Sequence, residues 1–155
     1  MLDTFYLNQI PNDEGRFIED IWLYTNDQLE SSHTYIQWLF PNKEPSFINR
    51  NAPLLDDQRI MKFRSSPILL NRVDASFQIM MSFFDIDNNH PWFLTKNNHN
   101  FLRITRILNT LVAFGMQKQA DRLFARLIQI YWAADNNRLI CPITMEYWRQ
   151  AYRGM

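Results

Sequence analysis

Three histidines, His33, His90 and His99, and one cysteine, Cys141, are the side chains best suited to metal binding or nucleophilic chemistry. Zinc needs about four N or S ligands in close sequence pairs, and these four show no HxxxH or CxxC spacing. The segment DIDNNHPWFLTK puts Asp85, Asp87 and Asn89 at positions 1, 3 and 5 of a calcium-type loop. His90 then stands where the sharp turn needs glycine, and Lys96 where a bidentate glutamate is needed, so the pattern fails. Cys141 precedes Pro142 at an expected helix start, where the dipole could lower a thiol pKa, but a lone cysteine is more often a small buried hydrophobe. There is no glycine-rich phosphate cradle, and no carboxylate pair stands out. The chain therefore reads as a non-enzyme, with no catalytic residue, metal or cofactor.

Two basic groups point to another chemistry. Arg103 and Arg106 lie one turn apart on what reads as the solvent face of the best-patterned helix, and Lys118, Arg122 and Arg126 follow at i, i+4, i+8 on the next. Together they could grip phosphates, which makes nucleic-acid binding through the 96–134 hairpin the alternative function. The same side chains could instead be solvated, pair with Glu44, Asp20 or Asp74, or pin a loop through its oxygens. Residues 1–95 carry 7 basic and 13 acidic side chains and residues 96–155 carry 9 and 3, so a chain of net charge zero has oppositely charged halves. Either the halves pair with one another or the basic one attracts an anionic partner. The third group is HTYIQWLFP, His33 to Pro41, followed by Glu44, Pro45, Ser46, Asn49 and Asn51.

The elements that position these groups follow from composition and spacing. With 155 residues, 46% of them hydrophobic, and 12 Phe, 5 Trp and 6 Tyr, the chain can bury a core, which excludes disorder. Its length suits one domain, 1–155. Only three glycines and apolar spacings of three and four predict an all-α fold, a single compact bundle of about six to eight helices. Helices are expected at 2–9, 17–24, 25–40 (ending at Pro41), 56–64, 66–84, 98–114, 117–134 and from Pro142 to about Gly154. Asp56 and Ser66 serve as caps and Gly115 as a left-handed stop. Two irregular, proline-bearing loops, 41–55 and 85–97, interrupt them, and the helices flanking Gly115 form a C-terminal helical hairpin. One cysteine, no N-x-Ser/Thr site, an acidic N-terminus and no apolar run of about 20 residues predict a cytoplasmic protein without a transmembrane segment.

Three blocks resemble the conserved domain of the opioid growth factor receptor family. They are the opening with Phe5, Tyr6, Asn8, Pro11, Gly15, Arg16, Asp20 and Trp22; HTYIQWLFPNKEPSFINRNAPL from His33 to Leu54; and HNFLRITRIL from His99 to Leu108, extended through Leu111 to Gly115. The resemblance implies an all-α domain with a binding role and no enzymatic activity. The vertebrate member is a nuclear-envelope-associated receptor for the pentapeptide Met-enkephalin. This chain departs from it in lacking a polar repeat extension and basic import signals, and resembles short stand-alone microbial forms.

The expected site is a ligand groove framed by the 33–54 block and the first turn of the 98–114 helix, taking a peptide or protein ligand. His33, Tyr35, Gln37, Trp38, Glu44, Asn49, Arg103 and Arg106 are its candidate residues. The aromatics would offer flat contact surfaces and the polar groups orienting hydrogen bonds. A second role stays open for all eight, pinning the 41–55 loop over the helical core.

Overall fold

Helices form in this chain where apolar spacing of three and four runs between a polar cap and a Gly, Pro or Asn stop. The computed structural model describes residues 1–155 and contains nine α-helices, one 3-10 turn and no strand. The all-α expectation holds, with more helices than the expected six to eight. The chain divides into two compact units, Met1–Ile79 and Met80–Met155.

The first unit holds α1 (Leu2–Tyr6), α2 (Ile18–Trp22), α3 (Asn26–Ser31), α4 (Ile36–Leu39), α5 (Asp57–Arg64) and the part of α6 (Pro67–Phe84) up to Ile79. α1 stops short of the expected Gln9 because Asn8 takes a left-handed φ of 61°, which asparagine tolerates. Thr25 caps α3 reciprocally: its hydroxyl accepts the Gln28 N–H at 3.2 Å while Gln28 Oε1 accepts the Thr25 N–H at 2.9 Å. The helix expected to run unbroken over 25–40 is corrected here. It breaks at Ser32, which is extended (φ −83°, ψ 134°), and resumes only for the single turn of α4. The run Ser31, Ser32, His33, Thr34 supplies hydroxyls that compete for backbone groups and side chains of low helix propensity. Tyr35 then donates its hydroxyl back to Leu29 O at 2.8 Å, which holds the fold-back.

The two caps expected downstream are present: Asp56 accepts the Arg59 N–H at 2.8 Å and Ser66 the Leu69 N–H at 3.3 Å, with Pro67 opening α6. Phe5, Tyr6, Ile18, Ile21, Leu39, Phe40, Val73 and Phe77 form the dry interior. Within it Ser76 accepts from Tyr6 (3.2 Å) and Trp22 (2.9 Å), tying the first two helices to α6. Burial holds the Tyr6 hydroxyl well above the usual tyrosine range.

The second unit contains the end of α6, then α7 (Asn100–Ala113), α8 (Gln117–Trp132), a 3-10 turn (Asn136–Arg138) and α9 (Pro142–Arg153). Gly115 has φ 71° and donates to Val112 O (3.1 Å) while Met116 donates to Leu111 O (2.8 Å), closing α7 with a left-handed cap. The predicted hairpin of α7 and α8 is thus formed, and α9 packs against both. Trp148 seals this layer: its ring is fully buried edge-on to Phe101 at 5.8 Å, and its indole N–H reaches Phe101 O at 3.1 Å. No helix is long and apolar enough to cross a membrane.

Candidate functional site

Residues 33–49 form the polar and aromatic cluster that the sequence singled out, and four of its hydrogen-bonding side chains, Tyr35, Gln37, Trp38 and Asn49, are buried. Tyr35 and Trp38 are 1% and 3% exposed, so neither ring presents a flat surface to solvent. Trp38 leans on Phe5 at 5.0 Å and donates its indole N–H to Asp13 Oδ1 at 3.0 Å, while Tyr35 is held through Leu29 O. The two buried amides grasp consecutive carbonyls of the turn before α4: Gln37 Nε2 donates to His33 O at 3.0 Å and Asn49 Nδ2 to Thr34 O at 3.1 Å. The first bond locks the turn onto α4, and the second ties the 41–55 connector to the same turn. His33 and Glu44 are exposed.

The pinning leaves loose ends. Gln37 is 3% exposed, and its Oε1 is buried with no hydrogen-bond partner. Reversing the amide would set an oxygen against His33 O and forfeit the existing bond, so the orphan acceptor is built into the geometry. Ser46 Oγ accepts the N–H groups of Ile48 (3.2 Å) and Asn49 (3.3 Å), a local turn that throws Phe47 and Ile48 outward to 91% and 66% exposure. A buried acceptor lacking a donor in α4 and two exposed apolar side chains in the connector after it thus lie within one stretch of twelve residues, 37–48.

Arg103 and Arg106 lie in the second unit, and their expected place on a solvent face is corrected. Arg103 is 5% exposed and donates to Asn100 Oδ1 at 3.4 Å. Burial pulls the Arg106 guanidinium down to about 10, a value at which it stays charged at neutral pH. Along α7 only Leu102 is exposed, so the polar side of this helix is covered as well as its apolar stripe. Amphipathic spacing identifies the apolar side of a helix, but it cannot show whether the other side meets water.

The remaining basic residues have defined work on α8. Arg122 pairs with Asp87 at 3.6 Å; Arg126 donates through Nε to Ile86 O at 2.8 Å, through a terminal nitrogen to Asn89 Oδ1 at 3.0 Å, and also to Gln129. Lys118 is exposed. Loop-pinning thus claims Arg122 and Arg126, two members of the proposed phosphate stripe. The same contacts employ Asp87 and Asn89 of the calcium-like segment, and Asp85 accepts from Asn88 at 3.0 Å. Sequence reasoning missed Phe47 and Ile48 as exposed groups and Asp13 as the partner of Trp38. Pro45 and Ser46, a turn signal just before two apolar residues, were the available hint to the exposed pair.

The fold and this cluster define a class: an all-α domain in which a short aromatic segment is locked by its own polar tips. The chain belongs to the opioid growth factor receptor family, whose conserved-region model, "Opioid growth factor receptor (OGFr) conserved region", matches residues 2–154. It is 37% identical over 135 residues to the opioid growth factor receptor of Mus musculus, an alignment covering 74% of this chain and 21% of that protein. The Homo sapiens receptor aligns at 37% identity over 135 residues, 74% of this chain and 20% of that one. Opioid growth factor receptor-like protein 1 of Xenopus tropicalis aligns at 35% over 143 residues, 81% of this chain and 28% of that one. The chain thus spans between a fifth and somewhat over a quarter of the length of these relatives. No solved structure matches.

Proposed function

We propose that this chain is one domain of the opioid growth factor receptor type, acting in the cytoplasm as a non-enzymatic module that binds a peptide in receptor fashion at the 33–49 block. The observation that carries the reading is the orphaned Gln37 Oε1. A buried acceptor without a donor costs about 1–3 kcal/mol, and a peptide N–H would remove that cost on binding. The exposed Phe47 and Ile48 supply apolar contact area that needs no unfolding to reach, and Glu44 supplies charge at the rim. The candidate contact set within the first unit is His33, Gln37, Glu44 and Asn49, with Tyr35 and Trp38 acting by holding the segment in place. The receptor names of the relatives support the same reading.

A random short-peptide library and an opioid pentapeptide, each presented to the full chain and to Gln37→Met, test it. The expected outcome is a peptide retained by the wild type and bound about tenfold or more weakly by the variant, a difference of about 1.4 kcal/mol, with the variant still folded at the assay temperature despite losing the bond to His33 O. Equal affinity in the two proteins, or no peptide retained by either, overturns the proposal.

A further inference from the structure

We propose that a surface cavity of about 200 Å³ in the first unit, lined by Arg16, Tyr24, Gln28, Ser31 and Ser32, binds an oxyanion, either a carboxylate or a phosphate. The lining holds one cation, four neutral polar side chains and no carboxylate. Its donors are directed by bonds already made. The backbone of Arg16 is clamped by Asn12, whose Oδ1 accepts the Arg16 N–H at 2.9 Å and whose N–H reaches Arg16 O at 2.8 Å, leaving the guanidinium unpaired at the cavity. Gln28 spends Oε1 on the Thr25 N–H, so the oxygen is taken and both protons of its Nε2 remain available. The Tyr24 ring stands edge-on to Tyr35 at 6.0 Å, and its hydroxyl, like that of Ser31, makes no bond within the chain.

A cavity with unused donors on three kinds of side chain and its amide acceptor occupied selects for oxygen-rich anions over cations. A guanidinium fork suits the two oxygens of a carboxylate, or two of a phosphate, with the amide and hydroxyls completing the shell. Tyr35 belongs to the peptide-binding block and touches Tyr24, so the C-terminal carboxylate of a peptide is the natural source of the anion. That source rests on the peptide-binding reading; the anion site does not.

Sodium acetate and inorganic phosphate, titrated separately into the isotope-labelled full chain at constant ionic strength, provide the test, read by amide chemical shifts. The expected result is saturable shifts at Gln28, Ser31 and Ser32 with at least one of the two anions, weakened about tenfold in Arg16→Gln, whose spectrum elsewhere matches the wild type. Shifts that never saturate with either anion, or that persist unchanged in Arg16→Gln, overturn the site. Short peptides compared as free acid and as C-terminal amide decide the source: preference for the acid supports the peptide carboxylate, and equal affinity overturns that part. Loss of anion binding with Gln37-dependent peptide binding intact removes this site alone, and the reverse outcome removes the peptide reading alone.

Discussion

In the connector 85–97 the polar groups are met from α8 and the turn after it. Arg126 holds Ile86 O and Asn89 Oδ1, Arg122 pairs with Asp87, and Asn136 donates to Ile130 O at 2.8 Å and to Asn89 O at 2.6 Å while its oxygen meets His90 at 3.2 Å. Trp92 closes the same connector by donating to Phe83 O at 2.8 Å. The connector 41–55 is held from α5 and from the turn before α4. Asn49 reaches Thr34 O, Leu55 donates to Asn42 O at 3.0 Å, Arg59 donates to Leu54 O and Lys43 pairs with Asp57 at 3.8 Å, while Phe47 and Ile48 stand outside and Gln37 Oε1, in the neighbouring α4, has no donor. Both connectors are irregular and proline-bearing, yet 41–55 turns two adjacent apolar side chains, Phe47 and Ile48, outward, while 85–97 exposes only part of Trp92. The contrast shows that irregular backbone alone does not decide whether a connector's apolar side chains are covered; that depends on which elements fold over it.

The largest expected effect tests the anchor of the 33–49 block. Trp38→Ala removes the ring packed on Phe5 and the bond to Asp13, and should cost about 3–5 kcal/mol in chemical denaturation. A cost below about 1 kcal/mol would mean that the segment is held by its polar loop rather than by the aromatic interior.

Next comes the direct comparison of the two connectors. Asn136→Ala removes three contacts: the donor to Asn89 O, one of the two donors to Ile130 O, which keeps the Ala133 N–H at 3.2 Å, and the partner of His90. Asn49→Ala removes only the donor to Thr34 O, with each lost bond worth about 0.5–1.5 kcal/mol. Denaturation midpoints should therefore fall further for Asn136→Ala. The opposite order would show that 41–55 is the more firmly held of the two connectors.

A smaller, pH-dependent effect calibrates the first unit away from either connector. The Lys62 ammonium, 2.6 Å from Asp3, bonds its carboxylate and lowers the pKa from 3.8 to about 2. The folded pKa lies below the unfolded one, so this stabilisation is complete above about pH 4 and is lost as pH falls toward 2. Lys62→Met should remove part of the acid sensitivity in that window, by no more than about 1 kcal/mol for so exposed a pair. An unchanged acid transition would show the pair to be inert.

The smallest stability change is expected at Phe47→Ser, within about 0.5 kcal/mol, because the ring is already in water. Its effect should appear instead as weaker peptide retention. A marked loss of stability would place Phe47 in the scaffold and draw the two connectors together.

Much of the fold was legible before the coordinates. The caps at Asp56 and Ser66 depend on side-chain-to-backbone bonds three residues apart, the stop at Gly115 on a left-handed backbone that glycine permits, and the all-α class on apolar spacing within single helices. The break at Ser32 was not legible, because its decisive contact, from Tyr35 to Leu29, forms only once the chain has folded back. The candidate site was legible in part. The inward turn of Tyr35 and Trp38 in the block 33–54 follows their aromatic side chains, whereas the burial of Arg103 and the outward turn of Phe47 reverse what side-chain type alone suggests.

Class, helix ends and family membership were thus written in the order of residues, because caps, proline and glycine act over a single turn and a family's strings are read letter by letter. Which groups meet water and which acceptor is left without a donor depended on residues far along the chain arriving on every side. Asp13 reaching Trp38 is one example, Arg126 reaching Ile86 another. Exposure is a property of the space around a side chain, and a linear pattern specifies only its neighbours along the helix.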